Sequence, residues 1–133
     1  MSLYTFLHFV FMAGAVLMLI AAVKTSRKRS GTAWLSRHRT LALAGAAAGI
    51  AGFLIIYFYK TAMGYPHFHS PHAMGGAITL IIVVVSSVAG LLLISGKQFI
   101  RKPHRFLGYA AGAMAVLVAF SGVVRFLQIS QII

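Results

Sequence analysis

Four long apolar stretches alternate with short polar ones along this chain. Leu3 to Val23 runs for about twenty residues without a charge, the length that crosses the hydrocarbon core of a bilayer. A second stretch extends from Trp34 or His38 to Tyr59 and closes on Lys60. A third runs from His72 to Ser95, and a fourth from His104 to about Phe126, followed by a short tail to Ile133. The pattern predicts an all-α integral membrane protein: a four-transmembrane-helix bundle in one domain, 1–133, with helices near 3–23, 36–59, 72–95 and 104–127. Proline is almost absent inside the spans, so the helices should be unbroken, and Pro103 suits the first turn of the fourth. Ser26, Ser30 and Gly31 make the segment from Lys24 to Arg37 read as a loop rather than a helical extension.

Charge adds the orientation. The 133 residues include twelve Lys and Arg and no Asp or Glu, and only 9% are charged, against roughly a quarter in a soluble domain. A net charge of +12 in so apolar a chain points to anionic lipid headgroups rather than nucleic acid. Ten of the twelve cations lie in or beside the first and third connections; Lys60 and Arg125 are the others. The positive-inside rule puts those connections in the cytoplasm, and both termini and the second connection on the outer side. Basic residues follow the first apolar run instead of preceding it, so that run reads as a retained span and not a signal peptide. A bacterial or archaeal cytoplasmic membrane is the expected location.

Composition also removes chemistries. Without cysteine there is no disulfide, Fe–S cluster or thiolate. Without carboxylate side chains there is no paired-carboxylate hydrolysis, EF-hand calcium site or acid-based proton relay. Histidine remains. Three of the six lie in the second connection and the start of the third span, at His67, His69 and His72.

With the termini outside, four histidines sort by depth. His8 and His72 fall near the outer face on the first and third helices; His38 and His104 fall near the inner face on the second and fourth. From His38 to Lys60 is about 33 Å at roughly 1.5 Å per residue, and the two levels should lie somewhat closer than that. Small residues follow these histidines at helical spacing: Gly45, Gly49 and Gly52; Gly75, Gly76, Ser86 and Gly90; Gly108, Gly112 and Gly122. Such stripes are commonly packing seams, and they also leave room for a flat prosthetic group. A lone intramembrane histidine can be a simple hydrogen-bonding residue. Four, paired by depth on alternate helices, match haem b held between two imidazoles from different helices. Tetrahedral zinc would require four ligands at one level, where here there are two.

The motifs His8-x3-Met12, Trp34-x3-His38, Phe68-His69-Ser70-Pro71-His72-x3-Gly76 and Pro103-His104-x3-Gly108 together resemble the cytochrome b561 family. The resemblance covers essentially the whole chain and implies a four-helix core with two b haems. It assigns His8 and His72 to the outer haem and His38 and His104 to the inner one, the pairing that depth also gives. Larger relatives add a flanking helix at each end, for which this chain has no room. Arg37, Arg39, Lys102 and Arg105 correspond to the cytoplasmic basic site of ascorbate-using members, although any inner loop would be basic. Arg39, Arg105, Arg125 and Lys60 are candidate partners for haem propionates, with headgroup contact as the simpler alternative. His67 and His69 read as loop residues at the outer haem edge.

The leading expectation is transmembrane electron transfer, an electron carrier or transmembrane oxidoreductase, with ascorbate, a quinol or a partner cytochrome as donor or acceptor. The alternatives are a quinone-linked cytochrome b subunit anchoring a peripheral redox enzyme and a non-redox scaffold. Assembly into a redox complex or a homo-oligomer is open in each case.

Overall fold

The computed structural model describes residues 2–129; the tail to Ile133 lies outside the described residues. The described residues form four α-helices, α1 (Leu3–Lys28), α2 (Trp34–Ala62), α3 (Pro71–Ile94) and α4 (Arg101–Ile129), with one 3₁₀ turn at Gln98–Ile100 before α4. All four α-helices are long and apolar enough to cross a membrane, and no strand occurs among the described residues.

The helix ends follow from local chemistry. Ser2 and Ser70 cap α1 and α3, their hydroxyl oxygens accepting from the Thr5 and Ala73 backbone N–H groups at 3.1 and 3.2 Å. Pro71 occupies the first turn of α3, where no hydrogen bond is lost. α1 continues past Val23 to Lys28, into the segment expected to be loop. The Thr25 and Ser26 hydroxyls donate back to Ala21 and Val23 carbonyls of the same helix, at 2.8 Å each, and so do not break it. Arg27 and Lys28 meet the negative end of the helix dipole, and Arg29 stops the helix in the left-handed conformation at φ 46°. α4 likewise takes in Arg101 and Lys102, expected in the connection.

The helices run alternately up and down as two hairpins. α1 packs chiefly on α2 and α3 on α4; α1–α4 and α2–α3 meet less extensively. Among the described residues, the diagonal pairs α1–α3 and α2–α4 make no close backbone approach. The interior is built from small side chains: Ala15, Ala22, Ala46, Ala89, Ala111 and Ala115 are buried with Val83, Thr79 and Ser86. Large apolar groups such as Leu17, Leu117 and Phe120 face outward, each about two-thirds exposed or more. This is how a bundle surrounded by lipid holds together: apolar burial against lipid contributes little, so close approach of small residues takes over.

Candidate functional site

The open diagonal of the bundle is bridged by the histidines. His8 on α1 and His72 on α3 have ring centres 6.5 Å apart, and His38 on α2 and His104 on α4 have theirs 6.2 Å apart. The rings of each pair stand nearly perpendicular, at 85° and 75°. The helices whose backbones stay apart are thus the helices whose histidines come together.

Each imidazole is tied to the other helix of its own hairpin through Nδ1. His8 reaches the Gly52 carbonyl at 2.8 Å and His38 the Ala22 carbonyl at 2.9 Å. His104 reaches the Ser86 carbonyl at 2.9 Å, and His72 the Val118 carbonyl at 3.2 Å. A carbonyl only accepts, so Nδ1 carries the proton and donates, leaving the Nε2 lone pair free for a metal. In all four helices the accepting carbonyl lies fourteen residues after that helix's own histidine. The two levels are therefore separated by about 21 Å along the bundle, at roughly 1.5 Å per residue, well inside the 33 Å bound set by helix length.

The geometry suits a metal held between two rings. Ring centres 6.2 to 6.5 Å apart leave room for one metal ion bonded to a nitrogen of each ring at about 2.0 Å. Among the described residues no three metal-binding side chains come together, so each level offers two ligands, the number that axial ligation of haem uses and tetrahedral zinc does not. Two glycines make space for the rings. A Cβ at Gly122 would come within 2.9 Å of His72 Cε1, and one at Gly90 within 3.0 Å of His104 Cε1.

A family model described as eukaryotic cytochrome b561 matches residues 2–129. The chain belongs to the cytochrome b561 family. Cytochrome b561 membership carries with it haem b and electron transfer across a membrane, consistent with the four membrane-crossing helices. The description is of eukaryotic proteins, so it lends nothing to the expected bacterial or archaeal membrane. The chain matches no curated protein and no solved structure.

The remaining candidates divide. Arg125 lines a cleft beside His72, together with Ser70, Pro71, Ser121 and Gln128. Lys60 donates to the His67 carbonyl at 3.4 Å. Arg105 lies over the Tyr109 ring, 5.9 Å from its centre, and Arg39 is exposed beside His38. His67 is fastened to the end of α2 rather than loose. Its ring stacks on Tyr57 at 4.2 Å, and its Nε2 lies 3.2 Å from Thr61 Oγ1. Because the Thr61 hydroxyl donates to the Tyr57 carbonyl at 3.0 Å, it accepts from His67 Nε2–H. His69 is exposed.

Sequence reading missed Ser121. Its hydroxyl lies 3.1 Å from His72 Nδ1, forty-nine positions away in the chain. Along the chain Gly90 and Gly122 are only members of small-residue stripes; that they adjoin imidazoles depends on how α3 and α4 pack.

Proposed function

We propose that this cytochrome b561 chain carries electrons across the membrane through two b haems. His8 and His72 hold one near the outer face, and His38 and His104 hold the other near the inner face. The observation that carries this reading is the pair of diagonal histidine contacts, each ring tied by Nδ1 to a carbonyl and so presenting Nε2. Haem b supplies a one-electron couple at its iron when bound.

The protein's own part is to hold, orient and shield. The four carbonyls fix imidazole tautomer and direction. The small interior lets the helices close around the sites and keeps water out, which lowers the local dielectric. The cations near each level, Lys60 and Arg125 outside and Arg39 and Arg105 inside, balance propionate charge at the membrane boundary. The basic connections face the cytoplasm, the termini and the His67 loop face outward, and the chain acts as a single domain.

The reduced-minus-oxidised visible spectrum of detergent-purified protein tests the reading. It should show b-type bands, and haem extraction should count two per chain. A spectrum without such bands defeats the proposal, and a count of one defeats its two-site form. Reduction by ascorbate, a quinol or a reduced cytochrome, each added to one side of oriented vesicles, then identifies the donor class.

A further inference from the structure

One imidazole is held differently from the other three. His8, His38 and His104 each reach a single backbone carbonyl at 2.8 to 2.9 Å. His72 Nδ1 lies between two oxygens, the Val118 carbonyl at 3.2 Å and Ser121 Oγ at 3.1 Å. The Ser121 hydroxyl donates to that same Val118 carbonyl at 2.8 Å. With its only proton committed there, Ser121 Oγ can meet His72 only as an acceptor. Two consequences follow. The His72 proton is shared between two longer bonds, and the carbonyl it shares is already accepting from a hydroxyl.

Resting on the two-haem reading above, we propose that Ser121 is a positioning residue that weakens proton donation from His72 and thereby raises the reduction potential of the outer haem. A strong Nδ1–H bond pushes electron density into the ring, makes Nε2 the better donor and favours the oxidised metal. Divided between two distant acceptors, the His72 proton pushes least. Ser121 touches neither iron nor substrate; it acts through His72 and through the carbonyl it occupies.

Spectroelectrochemical titration of purified wild-type, Ser121→Ala and Ser121→Thr proteins is the test. The outer component is identified as the one that His72→Ala removes, and the titration is repeated in a His104→Ala background, where the outer haem stands alone. Ser121→Ala frees the Val118 carbonyl for His72, so the outer component should shift to more negative potential while the inner one stays fixed. Ser121→Thr keeps the hydroxyl and should restore the wild-type value. An unmoved or positively shifted outer potential in Ser121→Ala overturns the proposal, as does an equal shift of both components or a Thr variant that behaves like Ala. Loss of the outer haem from Ser121→Ala but not Ser121→Thr also overturns it, making the hydroxyl a condition of binding instead. A wild-type protein without haem would refute the underlying reading; a two-haem wild type with an indifferent Ser121 refutes only this step.

Discussion

The hairpin α1–α2 and the hairpin α3–α4 are built to one plan and use their glycines differently. In both, each helix carries a histidine and, fourteen residues later, the carbonyl that receives the partner's Nδ1–H. One turn beyond that carbonyl the hairpins part. The second has Gly90 and Gly122 there, against the rings of His104 and His72; the corresponding positions of the first are Ser26 and Ile56. The first hairpin's tight glycines serve helix packing instead. A Cβ at Gly52 would approach Met12 Sδ to 3.0 Å, and one at Gly45 would lie 3.1 Å from Leu19 and 3.3 Å from the Ala15 carbonyl. The same residue type therefore sets helix spacing in one hairpin and ring placement in the other.

The largest effects should come from the four proposed ligands, which cross between hairpins. His8→Ala and His72→Ala should each abolish the same haem, and His38→Ala and His104→Ala the other, read as which redox component vanishes. If His72→Ala and His104→Ala remove one and the same component, the diagonal pairing fails.

Next come the glycines. Overpacking a close contact costs about 1–3 kcal/mol. Gly122→Val should lower outer occupancy about tenfold or more while sparing the inner site, and Gly90→Val should do the reverse. Gly45→Val, which pushes apart α1 and α2, should lower the melting temperature and weaken both sites together. A Gly122 variant that loses both haems equally would erase the distinction between the hairpins.

Gly76→Ala is milder still, since its Cβ would meet Val118 only at an ordinary 3.7 Å. It should leave both spectra intact and serves as the control for the glycine set.

The smallest effect belongs to the loop after α2. Lys60→Ala removes one partly exposed hydrogen bond to the His67 carbonyl, worth about 1 kcal/mol or less. Proteolysis within the loop should quicken while both haem bands persist. Unchanged cleavage would show that the Lys60–His67 hydrogen bond does not hold the loop.

Much of this molecule was legible along the chain because the bilayer imposes simple rules. Uncharged runs of about twenty residues have to become helices, since lipid offers backbone groups no other partner. The absence of any carboxylate or cysteine removed whole chemistries at once, and His8, His38, His72 and His104 stood out because polar groups in such runs are costly. Helix ends were less legible. Ser26 beside Ser30 and Gly31 predicts a loop, yet a serine hydroxyl can return to its own helix, as this one does to Val23.

The sequence by itself therefore determined the number of helices, the histidines on offer and the level at which each would sit, because these depend on one-dimensional spacing. The pairing of His8 with His72 and of His38 with His104 already follows from depth; only the tertiary structure decided that the paired helices stand diagonally, with their rings 6.5 and 6.2 Å apart across a gap no backbone closes. It alone placed Ser121 beside His72 Nδ1 and Gly122 against the His72 ring. Those contacts join residues nearly fifty positions apart, and they depend on the rotation of α4 about its axis, which packing against α3 sets and spacing along the chain does not.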